Sequence, residues 1–155
     1  MRIADILQKT GVLVDFKTAE KTEALTKLAQ YLASLYDLKT PELIAQKVLA
    51  RESEMSTGIG YGIAIPHARI DGIDRLYMVA ASITQGIEFD AIDEQPVHLI
   101  FMMVSPTNTS VEHTRILSSL SRIMSYEEIR NSLREADTPD SFLEIIIQGE
   151  DRYVQ

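Results

Sequence analysis

Cysteine is absent from the 155 residues, which excludes disulfides, thiolate nucleophiles and thiolate metal sites. No apolar run approaches the roughly 18–20 residues that a membrane span needs. The opening Met1-Arg2-Ile3-Ala4-Asp5-Ile6-Leu7 is too mixed for the core of a signal peptide. The glycine-rich stretch lacks the Gly-Lys-Ser/Thr ending of a P-loop, and no Gly-x-Ser-x-Gly elbow points to a serine hydrolase. His67, His98 and His113 lie far apart without a close pair, which argues against a metal site. Repeats, low-complexity segments and linkers are missing too. These absences lead us to expect one domain over residues 1–155, in the cytoplasm, with neither metal nor cofactor.

Apolar residues make up 45% of the chain, enough for a substantial core and too many for disorder. Acidic side chains outnumber basic ones 23 to 15, and the formal charge of −8 repels a nucleic-acid backbone. Partners are therefore expected to be proteins chosen by local surface chemistry.

Helix and strand alternate along the chain. A short amphipathic turn or helix at Ile3–Gln8 leads to a strand at Val12–Phe16. Thr18 is placed to cap a helix with Leu25, Leu28, Leu32 and Leu35 on one stripe. Thr40-Pro41 opens a second, with Ile44, Val48 and Leu49 inside and Arg51 near its end, where a cation matches the helix dipole. Leu76–Thr84 and Val97–Val104 read as strands separated by turn-rich Gln85–Pro96, and the second is apolar enough to be buried on both faces. Helices return from a Ser110 N-cap, from capping-box spacing at Ser125–Glu128, and from Thr138-Pro139. The order predicts a three-layer α/β domain with its sheet inside.

The stretch Ser56–Ile70 organises the rest. Ile59, Tyr61, Ile63 and Ile65 alternate with Gly58, Gly60, Gly62 and Ala64. In an extended segment this puts the bulky residues on one core-packing face and nearly bare backbone on the other, where something can approach closely. Pro66, without an N–H, is expected to stop the ladder and deliver His67 beside that uncluttered surface. His98 falls within a buried strand and reads as structural. With Ser110 as N-cap, His113 is the third helical residue, where free N–H groups and the helix dipole favour a bound anion and a neutral imidazole. A half-exposed first-turn histidine fits equally well. The surviving chemistry needs a histidine nucleophile and an anion-stabilising neighbour, and phosphoryl transfer meets that description.

Arg51-Glu52, Ser56-Thr57-Gly58-Ile59-Gly60 and Ala64-Ile65-Pro66-His67-Ala68-Arg69 together resemble the signature of the fructose/mannitol/nitrogen-regulatory enzyme IIA family. These are phosphocarrier domains of the bacterial phosphoenolpyruvate-dependent phosphotransferase system. The likeness covers nearly the whole chain, and its opening and Phe89-Asp90-Ala91-Ile92-Asp93 are most similar to the nitrogen-regulatory branch. The resemblance implies the enzyme IIA fold, with a central mixed β-sheet flanked by helices. It implies that His67 accepts a phosphoryl group from an HPr-type phosphocarrier protein, with His113 and Arg51 stabilising that group. A regulatory target protein would then read the phosphorylation state. In the sugar-specific alternative the phosphate passes to a permease IIB domain, so contact with the membrane is peripheral at most. A pure interaction module with His67 never phosphorylated is the third alternative. Thr114 stands where the family commonly has leucine, which puts local packing in question.

Overall fold

Two long apolar strands form the centre of the structure, a computed structural model that describes residues 1–154. Strands β5 (Tyr77–Ile87) and β6 (Val97–Ser105) pair antiparallel, with Ala80 opposite Phe101. Strand β1 (Val12–Leu13) joins β5 in parallel. On the other edge of β6 lie β3 (Ile63–Ala64) and then β4 (His67–Arg69), both parallel to it, with β2 (Gly58–Gly60) antiparallel to β3. The sheet is therefore mixed.

Side chains alternate across β6, and each set meets its own helical layer. Ile100, Met102 and Val104 pack with Leu25, Leu28 and Leu32 of α2 (Lys21–Leu35) and with Ile44 and Val48 of α3 (Pro41–Glu54). Leu99, Phe101 and Met103 face the opposite layer. It consists of α1 (Ile3–Ile6), α4 (Ser110–Met124), α5 (Glu127–Glu135) and α6 (Pro139–Tyr153). The expected three layers are present, with a hydrophobic core on each side of the sheet.

Several element ends differ from the expectation. The first strand stops at Leu13 because Asp15, at φ 52°, turns the chain. Helix α2 begins at Lys21, not at a Thr18 cap, because the Glu23 carboxylate reaches back to accept from the Ala19 N–H and the Thr18 hydroxyl. Strand β5 runs past Thr84 to Ile87 through an irregularity after Ser82, so Gln85–Ile87 is strand. No side-chain cap forms at Thr40 or in the Ser125–Glu128 box, whereas Thr138 does accept from the Ser141 N–H at 3.1 Å.

Candidate functional site

The glycine-rich stretch is a hairpin leading into a second strand, not one strand. Gly60, Tyr61 and Gly62 all adopt positive φ, reversing the chain between β2 and β3. The turn puts Ile59 and Tyr61 outside, 41% and 68% exposed, while Ile63 and Ile65 stay in the core. The expectation that all four pack inward is corrected for the first two. The glycine face is covered by the chain itself. A Cβ on Gly58 would lie 2.8 Å from the Ala91 Cβ, and one on Gly62 would lie 3.5 Å from the Pro96 carbonyl oxygen. The Ile92 N–H donates to the Gly58 carbonyl, and the Asp93 carboxylate accepts from the Tyr61 N–H. What approaches the bare backbone is the loop before β6.

Pro66 does not end the pairing either. It lacks an N–H, but its carbonyl accepts from the Met103 N–H at 3.0 Å, and His67 opens β4 opposite Met103. His67 is thus held on the edge of β6, half-buried, just before the strand leads through Ser105 toward α4.

Helix α4 brings His113 to it. The two rings stand 5.2 Å apart between centroids, edge to face at 73°. The N-cap is Thr109, one residue earlier than expected, so His113 is the fourth helical residue and its N–H already donates to the Thr109 carbonyl. The residue is also buried, 6% accessible, rather than half-exposed. Thr114 faces solvent, so a threonine there costs no core packing.

Each imidazole has its Nδ1 engaged. His67 Nδ1 lies 2.8 Å from the Ile65 carbonyl oxygen. A carbonyl only accepts, so Nδ1 carries the proton and Nε2 keeps a free lone pair. His113 Nδ1 lies 2.5 Å from the Ser105 hydroxyl, with both residues buried. Burial holds the His67 pKa below its ordinary value, with Arg51 adding to the effect against the raising pull of the Ile65 carbonyl. Burial, with Arg69 and His67 nearby, lowers that of His113 to about 4. Both rings are neutral at pH 7.

The two histidines border a cavity of about 370 Å³ whose other polar walls are Lys47, Arg51, Glu54 and Arg69. Three cations against one carboxylate make this an anion-favouring spot on an acidic chain. Arg51, half-buried in the last turn of α3, donates from Nη1 to the Met55 carbonyl at 3.0 Å. Its dipole-matching position and its place at the cavity are both real. His98 is elsewhere, bonded through Nδ1 to the Ile83 carbonyl as a structural residue would be. Among the described residues no group of three or more His, Asp or Glu side chains is arranged to hold a metal ion, and no helix is long and apolar enough to cross a membrane.

Sequence reasoning brought together His67, His113 and Arg51, gave Glu52 and Arg69 no role beyond their place in the signature, and overlooked Lys47 and Ser105. Two of these last four carried a readable signal. Lys47 is one helical turn before Arg51, and Arg69 is on the same strand face as His67.

Residues 5–149 match the family described as phosphoenolpyruvate-dependent sugar phosphotransferase system, EIIA 2. A fructose-specific EIIABC component from Bacillus subtilis is 32% identical over 96% of the chain, which spans only 23% of that protein's length. A nitrogen regulatory protein from Pseudomonas aeruginosa is 29% identical over 95% of this chain and 96% of its own. Among solved structures, the nitrogen regulatory protein IIA-Ntr of Neisseria meningitidis superposes with a TM-score of 0.88 at 30% identity, covering 93% of this chain and 98% of that one. The chain belongs to the EIIA 2 family of the phosphoenolpyruvate-dependent sugar phosphotransferase system.

Proposed function

We propose that this domain is a cytoplasmic phosphohistidine carrier, phosphorylated on His67 by an HPr-type phosphocarrier protein. The observation that carries the reading is the free Nε2 of a neutral His67 beside a cavity rich in cations. In the transfer step the Nε2 lone pair forms a bond to phosphorus as the bond to the donor, itself a phosphoimidazolium, breaks. The electron pair of that bond returns to the donor nitrogen. The His67 Nδ1 proton stays in place, hydrogen-bonded to the Ile65 carbonyl, so the product is a phosphoimidazolium and the donor leaves as neutral imidazole. Docking of the two proteins excludes water and aligns the nitrogens. Arg51 supplies charge-assisted hydrogen bonds to the phosphoryl oxygens, and His113 supplies another donor.

Full-length likeness to proteins named nitrogen regulatory supports a signalling role, in which a target protein reads the phosphorylation state. The fructose-specific relative supports a second reading, delivery of the phosphate to a IIB domain. Incubation with phosphoenolpyruvate, the system's first enzyme and its HPr-type carrier tests the common core. Acid-labile, base-stable label is expected on the wild type and none on His67→Ala. An unlabelled wild type with an active donor would leave only the interaction module. Onward transfer to a IIB domain would favour the sugar-specific reading, and its failure the regulatory one.

A further inference from the structure

The two imidazoles of the site differ in what their Nδ1 atoms touch, and that difference gives them opposite chemical characters. At His67 the partner is a backbone carbonyl, which can only accept. At His113 the partner is the hydroxyl of Ser105, which can do either. The surroundings of Ser105 decide. The residue is 0% exposed at the end of β6. Its carbonyl is held by the Ile70 N–H at 2.8 Å, and its backbone lies opposite Arg69 of β4. Among the described residues its hydroxyl has one hydrogen-bond partner, His113 Nδ1.

If Nδ1 carried the proton, the Ser105 hydroxyl would accept it and its own hydrogen would be buried without an acceptor. A buried unsatisfied donor costs its full desolvation, whereas the reverse arrangement gives the Ser105 hydrogen an acceptor and leaves the remaining ring hydrogen to face the cavity. The hydroxyl therefore donates to Nδ1. The His113 ring, neutral because burial and Arg69 oppose its protonation, must then hold its one hydrogen on Nε2. With Nδ1 occupied by Ser105, Nε2–H is the polar group this ring can offer to the cavity that it lines with His67.

Resting on the carrier reading above, we propose that Ser105 is a positioning residue: it fixes the Nε2–H tautomer of His113, so that a neutral imidazole donates to the phosphoryl group held on His67. One ring is thereby set as nucleophile and its neighbour as hydrogen-bond donor, without a charge on either. The other tautomer would present a lone pair to the phosphoryl oxygens and repel them.

Nitrogen-15 NMR of the histidine side chains in the unphosphorylated wild type reads the assignment directly at pH 7. The expected result is a pyridine-type Nδ1 and a pyrrole-type Nε2 at His113, with the reverse at His67. Ser105→Ala should mix the His113 tautomers and slow phosphoryl transfer to His67 about tenfold, the loss typical of removing the group that orients a functional imidazole. Ser105→Thr, which keeps the hydroxyl, should restore both. A pyrrole-type Nδ1 at His113 in the wild type, or an unchanged tautomer and rate in Ser105→Ala, overturns the proposal with phosphorylation of His67 intact. A wild type that accepts no phosphate overturns the carrier reading and the donor role with it, whatever the tautomers are. The wild-type spectrum decides the matter even if the alanine variant does not fold.

Discussion

Glu52 grips Thr57 with both carboxylate oxygens: the Thr57 N–H donates to Oε1 at 2.8 Å, and its hydroxyl donates to Oε2 at 2.6 Å. The Lys21 ammonium lies 3.0 Å from Oε1 and also donates to the Phe89 carbonyl. One carboxylate, 6% exposed, thus ties the end of α3 to the glycine hairpin, the start of α2 and the loop before β6. Arg51 is its neighbour in the chain, so the same clamp sets where the guanidinium meets the cavity.

Removing that clamp should destabilise the protein. Glu52→Ala leaves the two Thr57 donors without partners and takes the counter-charge from a largely shielded ammonium, which keeps only the Phe89 carbonyl, and we expect a loss of about 3 kcal/mol. Glu52→Gln keeps an acceptor for Thr57 and should lose roughly half as much. Urea denaturation midpoints measure both. Equal stability of Glu52→Ala and wild type would show that the clamp contributes nothing.

The contact between Gly58 and Ala91 predicts a second cost. A Cβ at position 58 would sit 2.8 Å from the Ala91 Cβ and 2.9 Å from its Cα. Backbone on one side and a loop bonded to that backbone on the other leave little room to give. Gly58→Ala should lose about 2 kcal/mol through overpacking. Gly72, at φ 89° with nothing within 4 Å of where a Cβ would stand, isolates the backbone effect, and Gly72→Ala should lose about 1 kcal/mol. A Gly58→Ala variant as stable as Gly72→Ala would refute the close approach.

Much of the architecture was legible because it rests on side-chain patterns. The apolar runs of β5 and β6, the stripes of α2 and α3, and Thr138-Pro139 at α6 follow local rules that packing does not overturn. The hairpin was not legible. Glycines alternating with bulky residues suit a strand with one bare face and a turn through Gly60-Tyr61-Gly62 alike. The choice is made by the Phe89–Pro96 loop, far along the chain. In the site, the first-turn position pointed to His113 and the resemblance joined it to Arg51 and His67, while Ser105 had no local signal. A serine closing an apolar strand acquires its role only when α4 folds back over it.

Arg51 should matter to chemistry more than to folding. It is half-buried, and among the described residues its one hydrogen bond goes to the Met55 carbonyl just past the end of α3. Arg51→Ala should reduce the rate of phosphoryl transfer to His67 about 100-fold, as for loss of one charge-stabilising donor. Arg51→Lys should recover part of that, since it keeps the charge without the planar fork. Single-turnover labelling with a phosphorylated carrier measures the rates. Wild-type kinetics in Arg51→Ala would remove it from the site.

The two depressed histidines also predict how stability varies with pH. In the unfolded chain each imidazole takes up a proton near pH 6.5, whereas in the folded protein His113 resists until about 4 and His67 is lowered as well. Between those values the unfolded state binds more protons, so stability falls as the pH is lowered through 6.5 and the His113 contribution levels off near 4. The slope from each ring is at most about 1.4 kcal/mol per pH unit. His113→Gln, which cannot titrate, should show a clearly shallower decline of unfolding free energy between about pH 6.5 and about pH 5. Phosphoryl acceptance by the wild type should meanwhile stay flat from about pH 7 to about pH 8, because His67 is already neutral there. An identical stability slope in His113→Gln would mean that the ring is solvated, and a rate that climbs steeply across that range would mean that His67 is charged at neutral pH.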